Sequence, residues 1–142
     1  MSQVTTDTKA GLIIVDDEVA NIHVLGEALH KEYAIRVATS GQDALELAQG
    51  EEQLDLILLD IVMPGMNGYE VCKRLKADAA TSKIPVIFIT AMSQEEDETK
   101  GLEAGAADYI TKPFSIPIVQ ARVRNHLEFK RYRDMLDNLS TL

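Results

Sequence analysis

The chain has 142 residues, with 23 Asp and Glu against 14 Lys and Arg and a net charge of −9. That is the length of one domain with one core, and the acidic balance excludes general nucleic-acid binding by the whole surface. The single cysteine, Cys72, excludes a disulfide framework and argues against a thiolate zinc site. No apolar run approaches the ~18 residues of a membrane span, and residues 1–10 are polar with no signal-peptide core, so the chain reads as cytoplasmic.

Taken in order, residues 12–15, 33–38, 56–59, 86–89 and 109–110 are predicted strands. Most are short, branched and uninterrupted in hydrophobicity, the pattern of strands buried on both faces of a parallel sheet. Helical spacing fills the intervals. Ile22, Leu25 and Leu29 mark the first helix. Ala44, Leu45 and Ala48 mark a second, with Ser40 and Asp43 as its N-terminal capping pair. Val71, Cys72 and Leu75 mark a third, and Leu102 and Ala106 belong around a weaker fourth. Ser115 caps a fifth, whose inner stripe is Ile116, Val119, Val123 and Leu127, with Pro117 tolerated in the first turn. Strands alternating with helices imply right-handed crossovers and a sheet covered on both sides, an α/β doubly wound fold.

The chemistry falls where the runs end. Asp16, Asp17 and Glu18 follow the first run, Asp60 the third, Thr90 the fourth, and Thr111, Lys112 and Pro113 the fifth. Ligands of open α/β sheets bind outside the carboxyl ends of the strands, so these groups converge on one edge. Neighbouring carboxylates repel, and a hard divalent cation with oxygen ligands, Mg²⁺, offsets that repulsion. Asp60, followed by a Pro- and Gly-containing loop, is the expected nucleophile toward phosphorus, with Asp16 and Asp17 as metal-side acids. Each of these residues alone is more simply a turn former, a cap or a solvated charge. Their joint placement at four strand ends is the signal.

These residues resemble the receiver domain of two-component response regulators. The likeness runs from about Gly11 to Leu127. It covers Ile14-Val15-Asp16-Asp17-Glu18, the loop from Asp60 through Pro64 and Gly65 to Gly68, Ile89-Thr90-Ala91, Gly105-Ala106-Ala107-Asp108-Tyr109, and Thr111-Lys112-Pro113-Phe114. It implies a flavodoxin-like (βα)5 fold with five parallel strands in the order 2-1-3-4-5 and an extended C-terminal helix. It also implies three parts: a tail at 1–10, a receiver at 11–128 and a linker helix at 129–142. By the same resemblance Asp60 is the phosphoacceptor, and Asp17, Asp16 and the Val62 backbone carbonyl serve Mg²⁺. Lys112 pairs with the phosphoryl group, aimed by a cis bond to Pro113. Thr90 and Tyr109 are the switch pair, Tyr109 moving inward as Thr90 moves toward phosphate, and Ala91 leaves access.

The implied partners are a sensor histidine kinase or a histidine phosphotransfer protein, and a downstream output domain. A homodimer is implied through the fourth helix, fifth strand and fifth helix, and through the C-terminal helix. Direct nucleic-acid and membrane partners are not expected. Val62 and Met92 are apolar beside the site, which predicts slow loss of phosphate. Met63 and Met66 read as packing residues, Cys72 as a small buried one, and His23, His30 and His126 as bystanders.

Phe129, Tyr132, Leu136 and Leu139 form a second, heptad-like seam, so the fifth helix is expected to leave the body near residue 128. Arg122, Arg124, Lys130, Arg131 and Arg133 read as its solvated or partner-facing side. The last residues resemble the lead into a GGDEF-type diguanylate cyclase, which would make the chain a regulatory domain excised from a longer protein. A phosphatase of the haloacid-dehalogenase type is a poorer fit, because Asp60-Ile61-Val62 lacks the second acid such enzymes need two residues on. A phosphate-independent interaction module is the remaining alternative.

Overall fold

A strand that is apolar at every position has no polar face to give to water, so both of its faces need cover. A computed structural model, which describes residues 9–50 and 52–140, supplies that cover. The elements are β1 (Gly11–Val15), α1 (Val19–Leu29), β2 (Ala34–Ala38), α2 (Gly41–Ala48), β3 (Leu56–Leu59), α3 (Gly68–Ala77), β4 (Val86–Thr90), α4 (Glu95–Glu103), β5 (Asp108–Thr111) and α5 (Ile116–Ser140). The five strands pair in parallel in the order β2-β1-β3-β4-β5, the flavodoxin-like arrangement the resemblance implies.

Alternation along each strand divides the core in two. Ile13, Val15, Ile57, Leu59, Val86 and Phe88 pack with α2 and α3. Leu12, Ile14, Leu56, Leu58, Ile87 and Ile89 pack with α1 and α5 through Ile22, Leu25, Leu29, Val119 and Val123. β1, β3 and β4 are buried throughout, while the edge strand β2 is half-exposed.

Local chemistry sets the helix starts. Ser40 accepts the Asp43 backbone N–H at 3.1 Å, and Asn67 accepts that of Glu70 at 3.0 Å. Cys72 is buried, its thiol donates to the Ala104 carbonyl at 3.4 Å, and burial pushes its pKa up to about 11. Met63 is in the first core layer and Met66 packs against it.

Three expectations change. The fourth helix lies earlier than Leu102 and Ala106 suggest. A reciprocal capping pair, Gln94 with Asp97, starts it, and Gly105 at φ +107° follows its end. Leu102 is exposed, and Gly101 is the only residue α4 buries. At the N-terminus, Ala10 accepts the Ala34 N–H at 2.9 Å and packs on the α1/α5 layer, so it belongs to the body; residues 1–8 of the expected tail lie outside the described residues.

Third, α5 does not part from the body near residue 128. Leu127 ends the apolar contact, but polar contact continues: Lys130 meets Asp55 at 3.5 Å, Lys83 meets Asp137 at 2.8 Å, and Arg133 donates to the Lys83 carbonyl. Arg122 likewise binds Asp108 at 2.7 Å. Three of the five basic residues therefore face the body, because acids or carbonyls wait there, while Arg124 and Arg131 are exposed. Thr141 and Leu142 lie outside the described residues.

Candidate functional site

Asp16, Asp60 and Lys112 are each placed by one extra rung of the sheet ladder. Asp16 N–H donates to the Ala38 carbonyl at 3.2 Å, Asp60 N–H to Val15 at 3.0 Å, and Lys112 N–H to Thr90 at 2.8 Å. The backbone is thus held just past the strand ends while the side chains turn toward one another. Behind Asp60 the chain closes tightly. Gly68 N–H donates to the Ile61 carbonyl at 2.8 Å, and a Cβ at Gly68 would stand 2.3 Å from the Asp60 carbonyl oxygen. Only glycine lets α3 start that close to the strand it follows. Gly65, at φ +77°, supplies the reversal within the same loop.

Asp16 and Asp60 are buried, at 3% and 5% exposure, whereas Asp17 faces solvent. One carboxylate oxygen from each of the three lies within 4.8 Å of the others. The Lys112 ammonium bridges the buried two, donating to Asp16 Oδ2 at 2.9 Å and Asp60 Oδ2 at 3.0 Å. Burial opposes its charge, but these hydrogen bonds and the two negative charges outweigh burial and raise its pKa above the ordinary lysine value. The Lys112–Pro113 peptide is cis.

Asp16 also accepts the Glu18 backbone N–H at 2.9 Å and the Asn21 amide at 3.2 Å, and Asp60 accepts the Val62 N–H at 3.3 Å. Asp17 makes no hydrogen bond among the described residues. Three carboxylates against one ammonium leave an excess of negative charge, and all the facing donors are hard oxygens. That set fits a cation of the Mg²⁺ kind.

Thr90 is fully buried at the end of β4, and its hydroxyl accepts the Met92 N–H at 3.4 Å; Ala91 beside it is exposed. Tyr109 is already inward. Its ring packs edge-on against Phe88, 6.0 Å between centroids, and its hydroxyl donates to the Met92 carbonyl at 2.7 Å. Burial first, then Tyr69, Asp97 and Glu98, push its pKa well above the ordinary tyrosine value. Val62 is exposed beside the acids, whereas Met92 is half-buried and packs against the core. The neighbouring cleft, of about 580 Å³, runs from Lys112 and Ala91 to the apolar Val24, Phe114 and Ile116.

Two participants escape a sequence reading. Asn21 steadies Asp16 from the first turn of α1, signalled only by its spacing of five residues. Tyr69 donates to the Asp97 carbonyl at 3.1 Å, tying α3 to α4, and nothing in its sequence neighbourhood announces this.

Comparisons with known proteins agree with this geometry. A family model for the response regulator receiver domain matches residues 12–124. The chain is 48% identical over 127 residues to a Vibrio cholerae protein named "Probable cyclic di-GMP phosphodiesterase", covering 89% of this chain and 29% of that one. It is 43% identical over 128 residues to response regulator PleD of Caulobacter vibrioides, covering 89% and 28%. It thus spans under a third of the length of either relative. The BeF3-activated receiver domain of DrrB, a Thermotoga maritima protein, superposes with a TM-score of 0.78 at 34% identity, covering 85% of this chain and 99% of that one. Among the described residues no helix is long and apolar enough to cross a membrane. Phosphoryl acceptance and Mg²⁺ binding in two-component signalling are general to receiver domains. With the family match, the fold and the strand-end constellation in agreement, the chain belongs to the response regulator receiver domain family.

Proposed function

We propose that Asp60 accepts a phosphoryl group from a phosphohistidine of a sensor histidine kinase or a histidine phosphotransfer protein. The observation that carries this reading is Lys112 bridging buried Asp16 and Asp60, with Asp17 alongside. An Asp60 carboxylate oxygen attacks phosphorus, the P–N bond to the donor imidazole breaks, and imidazole leaves with the electron pair. The residues that would hold Mg²⁺ are Asp16, Asp17, Asp60 and the Val62 backbone carbonyl. When bound, Mg²⁺ supplies positive charge that offsets the carboxylates and the phosphoryl oxygens.

Lys112 exchanges its bond to Asp60 for one to a phosphoryl oxygen, with Pro113 fixing its approach, and the Thr90 hydroxyl donates to another. Ala91 is small and leaves the approach open. Tyr109, held inward by Met92, conveys the change at Thr90 to the surface of α4, β5 and α5. The apolar wall of Val24, Phe114 and Ile116 gives the donor protein a desolvated seat beside Lys112.

The protein's catalysis extends to its own phosphorylation and a slow self-dephosphorylation. In a longer protein the switched surface would govern dimerisation or an attached output domain. The name of the Vibrio cholerae relative favours cyclic di-GMP chemistry for that output, by hydrolysis or by a GGDEF domain.

Acetyl phosphate with Mg²⁺ tests the reading by mass spectrometry. The expected result is a gain of one phosphoryl group that is absent in Asp60→Asn. No gain in the parent chain, or a gain that persists in Asp60→Asn, overturns it. Sustained turnover of phosphate esters would instead mark a phosphatase.

A further inference from the structure

Tyr69 stands at the junction of the Asp60 loop and α4. Its backbone belongs to the opening turn of α3, directly after Gly68. Gly68 is bonded to the Ile61 carbonyl and has no room for a Cβ against the Asp60 carbonyl. The Val62 N–H is bonded to Asp60 Oδ1 in the same loop. A change at Asp60 therefore reaches Tyr69 through a short, tightly packed stretch of backbone. The Tyr69 side chain is buried and reaches α4. Its hydroxyl donates to the Asp97 carbonyl at 3.1 Å, its ring packs edge-on against Phe88 with 5.8 Å between centroids, and the Lys100 ammonium lies 4.7 Å from its centroid.

The same segment is held from β5. Tyr109 packs edge-on against the same Phe88 ring, and its hydroxyl donates to the Met92 carbonyl. The connection from β4 into α4 is thus gripped by one phenol at Met92 and by another at Asp97. Helix spacing also gives the Asp97 carbonyl to the Gly101 N–H. Gly101 is where α4 rests on the Tyr109 and Phe88 rings. A hold on Asp97 is therefore a hold on the seat of α4 over Tyr109.

Building on the phosphoacceptor reading of Asp60, we infer that Tyr69 is a positioning residue of the switch, carrying movement of the Asp60 loop to α4 by a route that bypasses Thr90. The Thr90 route runs through β4 and Tyr109. The Tyr69 route runs through the loop from Asp60 to Gly68 and the first turn of α3. Tyr69 is bonded to Asp97 while Tyr109 is inward, so its hydroxyl favours the inward arrangement. By linkage, a group that favours this arrangement strengthens binding at Asp60 by the same factor, and one hydrogen bond is worth roughly 2- to 10-fold.

Phenylalanine is the informative replacement. Tyr69→Phe keeps the ring against Phe88 and under Lys100, and the Asp97 carbonyl keeps its partner within the helix. Beryllofluoride with Mg²⁺, a mimic of the bound phosphoryl group, is titrated into the full chain and followed by amide NMR. Tyr69→Phe is expected to weaken its binding roughly 2- to 10-fold. Thr81→Val loses a buried hydroxyl bonded to the Leu75 carbonyl near the other end of α3. It is expected to lower stability in urea and leave the beryllofluoride affinity unchanged. In Thr90→Ala, saturating beryllofluoride is still expected to slow amide exchange in α4. Adding Tyr69→Phe to that variant is expected to abolish the slowing.

An unchanged or tighter affinity in Tyr69→Phe, or an equal weakening in Thr81→Val, overturns the inference. So does the absence of slowing in Thr90→Ala, or a slowing that survives Tyr69→Phe. A parent chain that binds no beryllofluoride defeats the phosphoacceptor reading and the inference together, whereas a parent that binds it and a Tyr69→Phe chain that binds it equally well defeat the inference alone.

Discussion

Replacing Asp17 by Asn should make the metal-free protein more stable, although it alters a residue of the site. The reasoning is Coulombic. Asp17 has an oxygen within 4.8 Å of one on Asp16 and one on Asp60. At that limit each like-charge pair costs ~0.9 kcal/mol in bulk water and ~3.5 kcal/mol at an effective dielectric constant of about 20. Asp17 is exposed, so the lower figure governs, and we take the Lys112 ammonium, paired with both neighbouring carboxylates, to offset about one of the two repulsions. The net gain for Asp17→Asn is about 1 kcal/mol, a rise of roughly 3–4 °C in Tm for a domain this size.

Saturating Mg²⁺ reverses the order. At 100 times its Kd a cation adds ~2.7 kcal/mol to the parent, but only ~0.4 kcal/mol to a variant that binds it 100-fold more weakly. Thermal unfolding followed by circular dichroism, in EDTA and in Mg²⁺, reads both signs. An Asp17→Asn chain that melts at or below the parent in EDTA would refute the idea that these acids strain one another.

Val62→Asn places a polar group where an exposed valine now borders Asp60, and labelled phosphoprotein should decay faster than in the parent; an equal or longer lifetime contradicts the reading of Val62. Gly68→Ala drives a Cβ onto the Asp60 carbonyl and should cost upwards of ~2 kcal/mol in urea unfolding while lowering phosphorylation, since strand and helix cannot both keep their places.

The pH test concerns Asp108. Burial opposes its charge, but the Tyr109 N–H, His126 and Arg122 outweigh burial and lower its pKa below the ordinary 3.8. A depressed carboxylate contributes stability above its unfolded pKa and loses it as pH falls through the folded value. The Tm deficit of Asp108→Asn should therefore be full at neutral pH and shrink steadily below about pH 4; a deficit independent of pH would dismiss the ionic contribution.

The strands were open to reading because a run that is apolar at every position admits few environments, whereas their order followed only from the family resemblance. The strand-end residues were open for the same reason: once the sheet is placed, Asp16, Asp60, Thr90 and Lys112 have only one edge to occupy. The fourth helix was misplaced because its signal is not apolar periodicity. Acidic residues and the Gln94–Asp97 pair start it, and its buried residue is a glycine, which no hydrophobic pattern marks. The path of α5 beyond Leu127 was hidden because the contacts that Lys130, Arg133 and Asp137 make with the body are to Asp55 and Lys83, distant in sequence and without pattern; the closer partner of Lys130 is Asp134 of its own helix. Tyr109 could be named from its motif, but its inward position depends on the room left by Gly101, where a Cβ would meet its ring at 3.0 Å.

That glycine has a mechanical consequence. A helix that buries only Gly101 adds almost no apolar area to the core, and it stays helical through its own capping pair and the acidic side chains of its first turn. Such an element can be carried to a new position as an intact rod. What resists the move is the Tyr69 hydrogen bond to the Asp97 carbonyl, the Lys100 ammonium over the Tyr69 ring, and the anchor at its C-terminal end, where Ala104 is buried and accepts from Cys72.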